Sequence, residues 1–168
     1  MEKKLSWFRP AFTAIILTLA GIFVIYLVYD MLFLPKLQIS QRQVLHNYAY
    51  NTPYYIGNIA TKEGFLSPTI EKVSFYGGTN LLSSQDISLY LYKGQETTPF
   101  LTSSADDFGG NLVSAEGEKL PSTPFQLIYL VRISPENEGR LKTINMRITF
   151  SYFGIIKKDQ HYTISFFL

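Results

Sequence analysis

Hydrophobic and polar residues follow two regimes along the chain. From Ala11 to Tyr29 there is no charged side chain, and after Asp30 the apolar run resumes as Met31-Leu32-Phe33-Leu34. The 24 residues from Ala11 to Leu34 make about 36 Å of helix, enough to span a hydrocarbon core of about 30 Å with some tilt. Pro10 suits the first turn of such a helix, and Pro35 suits its stop. Trp7 and Phe8 at one end, and Tyr26 and Tyr29 at the other, fit the two headgroup layers.

Beyond residue 36 the dominant period is two, the period of a strand with one buried face. Ile144, Met146, Ile148, Phe150 and Tyr152 alternate with Asn145, Arg147, Thr149 and Ser151. Gly154 and a polar Lys157-Lys158-Asp159 turn follow, then Tyr162, Ile164 and Phe166 alternate with Thr163 and Ser165, which predicts a hairpin. Ile87, Leu89 and Leu91 alternate with Ser88, Tyr90 and Tyr92 in another half-buried strand. Phe125 to Ile133 is apolar on both faces apart from Gln126 and Arg132, as a central strand is. Tyr54 to Ala60 and Thr69 to Tyr76 are weaker strand patterns, with Gly77-Gly78 as a turn after the second. Leu37 to Tyr48 fits either a strand or a continued helix. Thr97 to Thr123, rich in Ser, Thr, Gly, Asp and Pro, reads as a long connection with room for one short edge strand.

Six or seven short strands without helical periodicity predict an antiparallel β-sandwich. Gly57-Asn58-Ile59, leading through Gly64-Phe65 to Pro68-Thr69-Ile70-Glu71-Lys72-Val73, resembles the strand–turn–strand opening of bacterial immunoglobulin-like modules. There an Asn-x-Gly turn precedes a Pro-Val-Thr-Ile-x-x-Val strand. In this chain Ala60-Thr61-Lys62-Glu63 lengthens the turn and Ser67 replaces an apolar residue. The resemblance covers about 20 residues. It implies an all-β, immunoglobulin-like sandwich and a role in adhesion or assembly.

Charge places the two regimes relative to a membrane. Lys3, Lys4 and Arg9 precede the apolar run, against Lys36 and Arg42 after it, a bias that keeps the amino terminus cytoplasmic. The run exceeds the apolar region of a cleaved signal peptide, and Asp30 to Pro35 offers no small-x-small cleavage site. The chain therefore divides into a cytoplasmic tail (1–10), a transmembrane helix acting as uncleaved signal anchor (11–34), a juxtamembrane segment (35–53) and an extracytoplasmic β-sandwich (54–168). About ten cytoplasmic residues are too few for a catalytic or signalling domain there.

Composition narrows the chemistry. The 168 residues are 46% hydrophobic and 15% aromatic, which excludes a disordered chain. Lys and Arg number 15 against 13 Asp and Glu, a net charge of +2 that gives no reason to expect a nucleic-acid partner. Without cysteine there is no disulfide, no thiol nucleophile and no Cys-ligated metal. Membrane-anchored immunoglobulin-like copper chaperones carry a Cys-x-Cys pair that this chain lacks, and His46, His161 and Met146 do not have the spacing of a copper site. No Gly-x-Ser-x-Gly elbow accompanies the two histidines. His161 is expected at the start of a strand, facing solvent. No cofactor and no catalytic activity are expected.

Four features remain as candidates. Asp106-Asp107-Phe108-Gly109-Gly110-Asn111 gathers oxygen ligands around glycines, so Asp106, Asp107 and Asn111 are the metal candidates, although the Asp-x-Asp-x-Asp-Gly spacing and distal Glu of a calcium loop are missing. Ala14, Thr18 and Gly21 fall at i, i+4 and i+7, a stripe that lets a second helix approach. Asp30 is the one charge within the span, about a turn from its outer end, where its carboxylate reaches water. Tyr48, Tyr50, Tyr54 and Tyr55 crowd around Asn51-Thr52-Pro53, where they suit a contact surface for a partner or glycan, the bottom of the sandwich core or the lipid headgroups. Leu120-Pro121-Ser122-Thr123-Pro124 resembles a wall-sorting signal with Pro for the final Gly, but a strand follows it rather than an apolar segment and basic tail.

The sequence thus predicts a single-pass binding or assembly module in the envelope, with lipid and a protein partner or second copy as its contacts. A minor-pilin-like filament component is the alternative. Minor pilins are processed between a Gly and a Phe, with a Glu five residues into the apolar segment; Ala11-Phe12 followed by Ile16 lacks both the Gly and the Glu. A metal-dependent hydrolase working from the Asp106–Asn111 loop is the third reading.

Overall fold

The structure, a computed structural model, describes residues 5–34, 36–39, 42–44, 48–94, 101–122 and 124–167. The chain forms two compact units. The first holds residues 1–34 together with Gly64–Leu66, and the second holds the rest.

The first unit is built on helix α1 (Leu5–Leu32). The helix begins earlier than the apolar pattern predicts, and Pro10 lies inside it rather than at its first turn. A proline has no N–H to donate, so the turn before it forms with one bond fewer. Pro10–Leu32 is long and apolar enough to cross a membrane, and none of its most apolar window is buried.

The second unit is predominantly antiparallel β-structure. Its strands are β1 (Leu37–Ile39), β2 (Arg42–Val44), β3 (Pro53–Lys62), β4 (Thr69–Gly77), β5 (Asn80–Leu81), β6 (Ile87–Tyr92), β7 (Leu101–Thr102), β8 (Leu112–Ser114), β9 (Phe125–Arg132), β10 (Thr143–Tyr152) and β11 (Ile156–Phe167). A 3-10 helix (Ala105–Phe108) and a short helix α2 (Glu138–Leu141) interrupt them. One sheet has the order β1-β3-β9-β6-β8, with β7 also on β3; the other has the order β2-β11-β10-β4-β5. Among these pairs only β2 with β11 is parallel. The ambiguous Leu37–Tyr48 stretch thus supplies two edge strands, and the segment expected as a juxtamembrane spacer belongs largely to the β domain.

Alternation sets the inner faces. Ile87, Leu89 and Leu91 of β6 are buried, as are Ile144, Met146, Ile148 and Phe150 of β10 and Ile164 and Phe166 of β11. Tyr129 of β9 meets Phe166 of β11 edge-on, with ring centroids 6.2 Å apart, so the two sheets share one core.

Strand β9 sits at the centre of its sheet with Leu127, Ile128, Tyr129 and Val131 wholly buried. Its second apolar face has a specific cover. Between β6 and β9, residues 101–122 pair with β3 through β7 and return through the 3-10 helix to β8 on the opposite edge. Phe108 is the buried plug of this excursion, its ring 5.4 Å from Tyr55 and 5.8 Å from Tyr92. The returning segment then bonds to β4: Ile70 N–H donates to Glu118 O over 2.8 Å and Leu120 N–H to Pro68 O over 2.9 Å.

Three local expectations are corrected. Lys157, Lys158 and Asp159 lie within β11, not in a turn; the turn is Phe153-Gly154-Ile155, where Phe153 and Gly154 adopt positive φ. Charges extend the strand here because they have cross-strand partners: Asp159 pairs with Arg147, and Lys157 with Glu71. Ala60, Thr61 and Lys62, expected to lengthen a turn, instead continue β3 to Lys62 and pair with β1. The long connection carries two short strands and a 3-10 helix rather than one edge strand.

Candidate functional site

The four tyrosines after the helix do not form one surface. Adjacent residues of a strand point to opposite faces, and β3 separates Tyr54 from Tyr55 in this way. Tyr54 turns back on the loop before it, its hydroxyl oxygen accepting from the Ala49 N–H over 2.7 Å. Tyr55 packs on Phe108 on the other face.

Tyr48 and Tyr50 do come together, edge to face at 5.8 Å. The Tyr50 hydroxyl donates to Glu138 Oε2 over 2.8 Å, tying the loop before β3 to the start of α2. Loss of water around Tyr48, followed by the negative charge of Glu138, pushes the Tyr48 phenol up to about 12. Tyr50 is raised first by its bond to Glu138. The same two hydroxyls, Tyr50 first, hold the Glu138 carboxyl below the usual range. The cluster is a carboxylate flanked by two phenols, a polar and aromatic contact point.

Tyr55 meets a different candidate. With Tyr90, Ala105, Asp106, Gly109, Gly110 and Leu112 it lines an open depression of about 580 Å³. Asp106 and Tyr55, distant in sequence, thus share one concavity. The loop that carries the metal candidates Asp106, Asp107 and Asn111 is a capped 3-10 turn. The Ser104 hydroxyl accepts from the Asp106 N–H over 3.2 Å, and Gly109 closes the turn with φ 55. Asp107 is bonded by the Thr102 hydroxyl. Asn111 is exposed, and its backbone carbonyl accepts from Lys93 N–H over 2.9 Å. Among the described residues no three His, Asp or Glu side chains gather as a metal site requires. His161 is exposed as expected but lies within β11 rather than at a strand start; His46 falls outside the described residues.

A second groove, of about 340 Å³, runs between β4 and β6. Lys72, Ser74 and Tyr76 line one side, Ser88 and Tyr90 the other, with Glu116 nearby.

In the helical unit, Ala14, Thr18 and Gly21 are all exposed. The Thr18 hydroxyl donates to the Ala14 carbonyl over 2.9 Å, and a Cβ added at Gly21 would meet nothing within 4 Å. Asp30 overturns its expectation. It is fully buried, not in water. Its Oδ1 accepts from Phe65 N–H and its Oδ2 from Leu66 N–H, each over 3.0 Å. Nothing in the local pattern signals this partnership, because the donors lie 35 and 36 residues from the acceptor. Phe108 and Glu138 were likewise missed as site-builders. An aromatic in a polar loop was the available signal for the first, and none existed for the second.

No protein-family model matches the chain, and no curated protein sequence matches it.

Proposed function

We propose that the protein is a membrane-tethered, extracytoplasmic binding or assembly module without catalytic activity of its own. The observation that carries this reading is the helix Pro10–Leu32, long and apolar enough to span, with its most apolar window entirely unburied. At roughly 25 cal/mol per Å² of apolar surface, leaving such a face in water is prohibitive, and a hydrocarbon layer removes that cost. The amino-terminal basic residues favour a cytoplasmic tail, with the β domain on the other side.

The strand order supports an immunoglobulin-like sandwich. Seven-stranded modules of that kind pair strands A-B-E-D in one sheet and C-F-G in the other. Here β1-β3-β9-β6 and β4-β10-β11 follow that order, with β2 parallel to β11 at the edge. The 101–122 excursion takes the place of a simple D–E hairpin. Such modules present loops and edges to partners, and the Tyr55–Asp106 depression and the Tyr48–Tyr50–Glu138 cluster are the surfaces assigned to contact here.

Two measurements test the reading. Fractionation of cells expressing the full chain should recover it with membranes, and protease added to intact protoplasts should digest residues after about 36. Recovery in the soluble fraction, or a protected carboxyl half, would falsify the topology. Crosslinking in intact cells should yield a defined heteromer or homo-oligomer, and a monomer alone would sink the assembly role.

A further inference from the structure

We propose that the turn Gly64–Leu66 seats in the outer leaflet of the bilayer alongside α1, with Asp30 holding its backbone N–H groups. The proposal rests on the membrane-anchored reading above and deepens it.

This turn belongs to the helical unit. Phe65 is 64% exposed, and its ring lies edge-on to Phe23 at 6.3 Å. Phe23 precedes the last helical residue, Leu32, by nine positions, about 13 Å along the axis at 1.5 Å per residue. The Phe65 ring therefore reaches to the depth of uncharged helix, well short of the helix end. A turn carried to that depth has backbone N–H groups that cannot rely on water, and each one unsatisfied there is costly. Asp30 meets that need by accepting from both Phe65 and Leu66. An acidic residue inside an apolar span is expensive unless it has such donors. Each feature answers the cost of the other.

The chain contains no cysteine, so single reporters can be placed in the full-length protein. We would label Phe65→Cys, Ile16→Cys and Gln85→Cys singly with a polarity-sensitive fluorophore and reconstitute each in phosphatidylcholine vesicles. Lipids carrying quenchers on their acyl chains, and aqueous iodide, report whether each position lies in the bilayer or in water. Expected is loss of more than half the emission at positions 65 and 16 with the lipid quenchers, and at 85 with iodide only. An iodide-quenched label at 65, with 16 still quenched by lipid, overturns the seating and leaves the anchor intact. A label at 65 shielded from both quenchers means protein covers it, which also overturns the proposal. A water-exposed label at 16 overturns the anchor reading itself. In Asp30→Asn, iodide quenching at 65 should rise while that at 16 stays unchanged; no rise would overturn the role given to Asp30.

Discussion

Asn137 donates from Nδ2 to Asp86 Oδ1 over 2.7 Å, joining the turn before β6 to the turn after β9. The same amide donates to the Arg132 carbonyl over 3.0 Å, and its Oδ1 accepts from Ser134 N–H over 2.8 Å. Asn137 is buried, so every one of these bonds replaces water that is no longer there. Asn137→Ala should cost about 1–3 kcal/mol, the penalty of leaving buried polar groups unmatched. Urea unfolding of the full chain in detergent measures it, and an unchanged midpoint would show that the network contributes nothing.

Asp86 makes part of that stability depend on pH. Burial pulls its carboxyl upward, but the bonds from Ser83 and Asn137, with the Arg140 charge, more than offset this and leave it below the ordinary value. A depressed folded pKa means the unfolded chain binds the proton more readily. The contribution is therefore present above the unfolded value of about 3.9 and disappears as pH falls through the lower folded value. The unfolding midpoint should drop on acidification across that window. Asn137→Ala, which removes one of the bonds holding Asp86 ionised, should flatten that drop.

Gly77 ends β4 where α2 packs on it. A Cβ there would lie 2.6 Å from Arg140 Cβ and 2.8 Å from the Arg140 carbonyl oxygen. Backbone cannot swing aside as a flexible side-chain end does, so Gly77→Ala forces α2 outward. The expected cost is about 1–3 kcal/mol, typical of overpacking. Gly78→Ala, where nothing lies within 4 Å of the added carbon but φ is 66, is the comparison: it tests conformational strain without a clash. Thermal unfolding of both variants separates the two effects.

Much of the fold was legible because a two-residue period leaves little choice of face. The β10 and β6 patterns named their buried residues correctly, and the unbroken apolar run of β9 announced a central strand. What was not legible depends on contacts distant in the chain. The charged Lys157-Lys158-Asp159 run reads as a turn until its partners Glu71 and Arg147 are known. Asp30 reads as a residue near water until a segment 35 residues later brings two N–H groups to it. The tyrosine group failed as a single site for a simpler reason: neighbouring strand residues cannot face the same way.

Phe108 is the test of the outer layer on β9. Its ring is buried against Tyr55 and Tyr92, inside a segment rich in Ser, Thr, Gly and Asp. Phe108→Ala should cost about 3–5 kcal/mol if the excursion cannot collapse onto the vacated space, and less if it can. Because the 101–122 segment depends on this anchor, limited proteolysis should cut within it sooner than in the parent protein. Equal cleavage rates would mean the segment is held by its β7 and β8 pairings alone.

The Tyr48–Tyr50–Glu138 cluster gives a spectroscopic prediction. Glu138 carries its negative charge through the neutral range, and ionising either phenol beside it would place like charges together. Tyr48, also partly removed from water, should therefore titrate near 12, and Tyr50 above its ordinary value. With 12 tyrosines in the chain, bulk absorbance would blur the two, so labelled ring carbons followed by NMR are the suitable readout. Glu138→Gln keeps the shape and removes the charge. Both phenols should then fall toward about 10, the value of an unperturbed tyrosine. Tyr50 should move more in proportion to its total shift, because its largest cause is the Glu138 bond, whereas for Tyr48 it is lost hydration. If neither titration moves, the carboxylate does not organise this surface, and the cluster ceases to be a candidate contact.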